Sequence, residues 1–272
     1  MRYRFSGAVL AVMAALLMAA PSVSHAQDQK SRPDRIAGKP NLNGLWQAMN
    51  TAYWNLEAHS AQEVPQFWRL GSIGAIPAGK SVVVGGTIPY KPEALKKRDE
   101  NRANWPKADP AASCYMPGIP RANYMPFPFE IVQGDQNIQF VYPFAKSNRI
   151  VYMTEHVDAP IDYWMGMSNG KWDGDTLVVT VIGNDDRTWL DRAGNFHSNA
   201  MTVTERFSLI DKNTIQYEAT IDDPETFTKP WTIRMPLYRH IEPNAEFLTY
   251  NCIEFSERLV YGDLEKLDDA DK

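Results

Sequence analysis

Cysteine is scarce in this 272-residue chain: only Cys114 and Cys252 are present. They lie far apart and no C-x-x-C occurs, which argues against a thiol redox motif or a cysteine-based zinc site. There is no H-E-x-x-H, no EF-hand loop, no glycine-rich phosphate loop and no dinucleotide fingerprint. Neither a metal nor a nucleotide cofactor is signalled, so the expected reading has no cofactor. His156 with Asp158, and Asp173 with Asp175, come closest to ligand spacing, but "DGD" reads as a turn. Basic charge is not in excess either: 28 Lys and Arg stand against 33 Asp and Glu. The one basic run, Lys96-Lys97-Arg98, is followed at once by Asp99 and Glu100 and reads as a solvated helix face. Nucleic acid and anionic membrane surfaces are therefore not expected partners. Beyond residue 20 no stretch approaches the ~20 apolar residues that a bilayer span needs.

What the sequence does have begins with "MRYRFSGAVLAVMAALLMAAPSVSHA". Arg2 and Arg4 precede an uncharged apolar run from Gly7 to Ala20, and Ser24-His25-Ala26 has the small-x-small form of a cleavage site. This reads as a signal peptide over residues 1–26, removed from a periplasmic or secreted protein with no stable membrane insertion after cleavage. Export permits a disulfide, so Cys114–Cys252 is the expected bridge, with two buried free thiols as the alternative. Losing Arg2 and Arg4 makes the chain more acidic than its full-length net charge of −5.

About 245 residues remain, a length that barrels and sandwiches use as one domain. Residues 27–128 are rich in proline and glycine and read as an irregular segment wrapping a core. Within them, "NLNGLWQA" (41–48) reads as a turn entering a first strand, and Thr51 caps a short expected helix to Ala61. "KPEALKKRDENRANW" gives a helix around 92–104, with Pro92 in its first turn. From Phe129 the texture changes. "FEIVQ", "NIQFVYPF", "RIVYMTE", "WMGMSNGKW", "TLVVTVIG", "MTVTERFSLI", "TIQYEATID", "WTIRMPLYRHI" and "FLTYNCIEF" follow one another, separated by turn signals such as "GDQN", "DGD" and "DKN". This predicts an all-β, mainly antiparallel meander over 129–262, closed into a single β-barrel, with a sandwich as the alternative. A charged tail, 263–272, follows.

Alternation assigns the faces. Leu177, Val179 and Val181 share one face of their strand, as do Ile215, Tyr217, Ala219 and Ile221, and Trp231, Ile233, Met235 and Leu237. In "MTVTERFSLI" the apolar face, Met201, Val203, Phe207 and Leu209, also carries Glu205. A carboxylate there is either ion-paired, with Arg121, Arg149, Arg187 or His197 as candidates, or a desolvated acid–base group. The 183–200 loop brings His197 close along the chain, so Glu205 and His197 are the candidate catalytic pair. Arg121 and Arg187 are candidate anion stabilisers. Tyr124, Phe127, Trp164 and Trp189 complete a candidate apolar or aromatic binding surface. "GMSNG" matches G-x-S-x-G around Ser168, but a hairpin rather than a helix follows, so a serine hydrolase with Asp191 and His197 is a minor alternative.

The stretches "CYMPGIPRANYMPFPFEIVQ", "WMGMSNGKWDGDTLVVTVIG", "RTWLDRAGNFHS" and "TERF" resemble a family of exported, functionally uncharacterised proteobacterial and acidobacterial proteins. The resemblance continues through "GGTIPYKPEALKKR" and "KPWTIRMPLYRHIEPNAEFLTYNCIEF". It implies export and a β-rich fold and brings no catalytic residue with it. The W-x-G-D-x-L hairpin is similar at fold level to calycin-like barrels, lipocalins among them. The functional expectation is a metal- and nucleotide-independent lyase, isomerase or hydratase acting on a small, partly apolar or aromatic molecule. The alternative is a non-catalytic carrier of such a molecule. Oligomeric state is not legible.

Overall fold

The computed structural model describes residues 34–64, 75–254 and 256. The expected signal peptide and charged tail lie outside these residues. Nine strands form one closed barrel: β1 Gly44–Gln47, β2 Phe129–Gln133, β3 Asn137–Val141, β4 Asn148–Tyr152, β5 Met167–Asp173, β6 Thr176–Ile182, β7 Thr202–Asp211, β8 Thr214–Asp222 and β9 Trp231–Arg239. Their order around the ring is their order in the chain, and β9 closes on β1. No ring with an odd number of strands can alternate direction throughout, so one pair must be parallel. That pair is β4–β5, in register at Val151↔Ser168 and Tyr152↔Asn169. Parallel neighbours need a crossover rather than a hairpin, and residues 153–166 supply it. The Asn169 side chain pins this crossover to the outer wall: its Oδ1 accepts from Val157 N at 2.7 Å and its Nδ2 donates to Val157 O at 3.0 Å. Among the described residues no helix is long and apolar enough to cross a membrane.

The interior follows the predicted alternation. Leu177, Val179, Val181, Val203, Phe207, Ile215, Tyr217, Ala219, Ile221, Ile233 and Leu237 are all fully buried, with Trp46, Phe129, Ile131, Ile138 and Phe140 opposite them. The β5–β6 hairpin turns at Gly174-Asp175; Gly174 adopts φ 59°, left-handed backbone that glycine takes without steric cost.

Outside the ring, helix α1, Pro92–Ala103, starts on proline as expected. It lies so close to Gly194 that a Cβ there would meet Arg98 O at 2.5 Å and Arg102 N at 2.6 Å. Residues 117–125 are buried without interruption, and the expected Cys114–Cys252 disulfide is formed across a separation of 138 residues.

Two expectations are corrected. "FLTYNCIEF" contributes no strand among its described residues, 247–254. β1 occupies the slot beside β9, so the ring offers no edge for that segment to pair with. Tyr250 instead packs on Phe127 and Phe144, with ring centroids 4.4 and 5.8 Å apart. The strand expected within 41–48 is present as β1, and it joins the ring between β9 and β2. Residues 51–61 form turns, not a helix. Asn50 Oδ1 accepts from Ala52 N and Asn55 Oδ1 from Glu57 N, side-chain bonds that compete with helical pairing. Leu56 N donates to Asp191 instead of a preceding carbonyl.

Candidate functional site

Glu205 sits mid-strand on β7, opposite Val179 of β6 and Ala219 of β8, pointing into the barrel with no exposed surface. Arg149 reaches it across the interior from β4. Their guanidinium–carboxylate fork has Nη1 donating to Oε2 at 2.5 Å and Nη2 to Oε1 at 3.2 Å. Glu205 Oε1 also accepts from Asn123 Nδ2 at 2.7 Å and from the Tyr217 hydroxyl at 2.8 Å. Tyr142 OH completes the cluster by donating to Asn123 Oδ1 at 2.7 Å. The Arg149 guanidinium lies 4.4 Å from the centroid of the Phe140 ring.

The electrostatics close on themselves. Burial opposes the Arg149 charge most strongly, but Glu205, Tyr142 and Tyr217 around it together outweigh that and hold the guanidinium above its ordinary pKa. Burial pushes the Tyr217 and Tyr142 hydroxyls up, so both stay neutral donors. The result is one anion and one cation fully buried, with four charge-assisted hydrogen bonds ending on the carboxylate. Of the candidate partners read from the sequence, Arg149 is the one in place. Tyr217 faces inward as alternation requires. Asn123 is the residue sequence reasoning missed: it comes from a short 3-10 turn, Arg121–Tyr124, in the Pro-rich wrap, where no periodicity announces it.

The other candidates stand elsewhere. His197 hydrogen-bonds Thr188 Oγ1 through Nε2 at 2.6 Å and the Ser198 carbonyl through Nδ1 at 2.8 Å. A carbonyl only accepts, so Nδ1 carries a proton, while the Thr188 hydroxyl beside Nε2 also donates to the Asp185 carbonyl at 3.1 Å. Burial lowers the His197 pKa, and His197 shares no hydrogen-bond partner with Glu205. Ser168 points into the barrel, 3.5 Å from Arg149 Nη1. Asp191 is bonded to Leu56 N, Ala193 N and both nitrogens of Asn195, with its pKa pushed to about 6 by burial. Ser168, Asp191 and His197 therefore do not hydrogen-bond one another.

The candidate binding residues fall into separate neighbourhoods. Arg121 is buried in a two-pronged pair with Asp109, at 2.9 and 2.8 Å. Tyr124 donates to Leu190 O at 2.8 Å. Phe127 stacks with Phe144, and Trp189 packs in a cluster with Val64, Ala94, Trp105 and Phe196. Arg187 and Trp164 do meet: the guanidinium lies 4.4 Å from the Trp164 ring centroid, held by Asp185, and Tyr115 stacks on the same indole. The hydrogen bonds from Arg187 keep the Asp185 carboxyl below its usual range.

A cavity along the described residues lies outside the barrel. It is a groove of about 360 Å³ between the crossover after β4 and the outer face of β5 and β6. Met153, Tyr152 and Val178 give it apolar walls; Glu155, His156 and Lys171 give it a polar rim. At Gly170 the side chains of Val151 and Met153 take the place a Cβ would occupy. Among the described residues no group of His, Cys, Asp or Glu could hold a metal ion. Comparison with protein-family models and with curated proteins finds no match for this chain.

Proposed function

We propose that the protein is an exported, non-catalytic binding protein for a small, partly apolar molecule, and that the molecule sits in the outer groove rather than in the barrel. The groove carries this reading. Its volume of about 360 Å³ falls in the range of ligand pockets, which run about 300–1,000 Å³ with apolar walls and a few polar groups. The interior argues the same way. A general acid or base must be able to exchange its hydrogen bond for one to a substrate, and both Glu205 oxygens are committed to Arg149, Asn123 and Tyr217. His197, the other half of the lyase, isomerase or hydratase reading, bonds only its own loop.

Titration of the mature protein with 1-anilinonaphthalene-8-sulfonate, an aromatic anion that fluoresces in apolar sites, tests the reading. Saturable binding is expected. Thr180→Trp, which fills the groove, weakens it at least about tenfold, equivalent to about 1.4 kcal/mol, while Glu205→Gln does not. Absence of saturable binding refutes the reading. So does binding that survives Thr180→Trp, and so does any turnover that Glu205→Gln abolishes.

A further inference from the structure

The outer groove carries two opposite charges that the described chain leaves unanswered. Among its described lining residues, Lys171 is the one amine and Glu155 the one carboxylate. Lys171 stands on the outward face of β5, cross-strand from Val178 of β6. The next carboxylate on that face, Asp173, is taken by Arg206 of β7, whose Nη2 donates to Asp173 Oδ2 at 3.0 Å. Glu155 belongs to the crossover, the other wall of the groove. Its chain neighbour His156 is turned to Asp158, with Nε2 3.2 Å from Oδ1. Among the described residues neither Lys171 nor Glu155 has an ion-pair partner, and they do not pair with each other.

The other polar groups narrow what a ligand can use. Asn169 already engages Val157 through both its Oδ1 and its Nδ2. Met153, Tyr152 and Val178 offer apolar surface. An occupant that covers this surface also takes water away from the two charges beside it, and a charge that loses water needs an opposite charge in return. An acid without an amine would answer Lys171 and leave Glu155 uncompensated. An amine without an acid would do the reverse. A molecule with one anion and one cation next to an apolar body answers both, and that is the chemistry of an α-amino acid with a large apolar side chain. Lysine and glutamate stems are long and flexible, so both heads can converge on such a small group.

We infer that the outer groove binds an apolar α-amino acid, with the ligand carboxylate on Lys171 Nζ, the ligand ammonium on the Glu155 carboxylate, and the side chain against Met153, Tyr152 and Val178. This rests on the reading of the groove as the ligand site and names the class of ligand it takes.

Calorimetric titration of the full mature protein with three molecules that share one phenyl body tests it. They are L-phenylalanine, 3-phenylpropionate, which lacks the ammonium, and 2-phenylethylamine, which lacks the carboxylate. Phenylalanine is expected to bind saturably, to displace 1-anilinonaphthalene-8-sulfonate, and to bind at least about tenfold tighter than either of the others. Lys171→Met is expected to erase its advantage over phenylethylamine, and Glu155→Gln its advantage over phenylpropionate. Both residues are exposed, so both substitutions leave the fold intact. An affinity for phenylpropionate or phenylethylamine that equals or exceeds that for phenylalanine overturns the inference. So does an advantage that survives its substitution. Saturable binding of the dye with none of phenylalanine overturns the inference too, and leaves the groove as a site for an aromatic anion. Failure of the dye itself to bind refutes the underlying reading of the groove.

Discussion

Replacing Arg149 with methionine isolates the energetics of the barrel interior. Methionine keeps much of the side chain's length and its contact with Phe140 but removes the cation. Glu205 then retains its bonds from Asn123 and Tyr217 and loses both from Arg149. Removing one partner of a buried ion pair costs about 3–5 kcal/mol, because the other charge stays behind without compensation. At about 2–4 °C per kcal/mol for a domain of this size, the melting temperature falls by about 6–20 °C. Glu205→Gln leaves the opposite charge stranded and is expected to cost a similar amount. The double variant Arg149→Met/Glu205→Gln strands neither. Its cost should fall well short of the summed singles, with a coupling of about 1–3 kcal/mol, the range found for residues in one network. Urea unfolding of the four proteins measures each value, and the slope of each transition reports whether the surface exposed on unfolding has changed. If either single variant loses less than about 1 kcal/mol, the pair behaves like a solvent-exposed bridge, and the account of a sealed, charge-compensated interior is wrong. Additive losses would refute the coupling even if each loss were large.

Two further outcomes follow from groups outside that network. Replacing both cysteines with serine opens a loop of 138 residues, which in the chain-entropy model costs about 5 kcal/mol; a melting temperature within about 2 °C of wild type would contradict it. The His197 pKa is lowered from its ordinary 6.5 by burial, so the unfolded chain takes up that proton first, and stability present above 6.5 is lost as the pH falls through the folded value. Asp191 opposes it: with a folded pKa of about 6 against an ordinary 3.8, its contribution is complete below 3.8 and lost as the pH rises towards 6, about 3 kcal/mol in all. Chemical denaturation from pH 4 to 8 should therefore show His197→Gln gaining on wild type as the pH falls below 6.5, and a difference that stays flat with pH would refute the burial argument.

The legible parts of this fold are those with a long period. β8 and β9 alternate over their nine residues and β7 over its first seven, and a one-residue slip would turn every apolar side chain outward. Their inward sets, and the burial of Glu205 among them, can therefore be read from the residues alone. That a buried carboxylate needs a cation is equally general, and Arg149 is a candidate on that ground. β1 is legible only as a turn entering a strand within 41–48, and its place in the ring is not: it has four residues, of which Trp46 alone is fully buried, too few for a period that would assign a face. Its place in the ring is what denies a partner to the strand-like 247–254. Asn123 is hidden for a related reason. It is positioned by a turn between prolines, and turn geometry, not side-chain spacing, carries it to Glu205. The outer groove leaves no pattern either, since it forms between a crossover and the outer face of strands whose inner faces carry the periodic signal.

The two most weakly paired seams of the barrel explain why arginines occur in its interior. β4 and β5 are in register at only two positions, and so are β9 and β1; the other neighbouring pairs have three or more. A buried arginine stands at each weak seam. Arg239, on β9 opposite Trp46 of β1, donates to the carbonyls of Asn41, Asn43 and Lys212 and covers the Trp46 ring at 4.0 Å. Arg149, on β4 next to the parallel seam, crosses the interior to Glu205 and lies within 3.5 Å of Ser168 on β5. Backbone pairing is sparse at both places, and a long side chain with several fixed donors can tie carbonyls or a carboxylate from different strands where few ladder bonds do so. The odd strand number requires the parallel seam, and the seam in turn requires the crossover that forms one wall of the groove. The same topological constraint thus accounts for a charge inside the barrel that is occupied with holding it closed, and for a ligand-sized cavity on its outside.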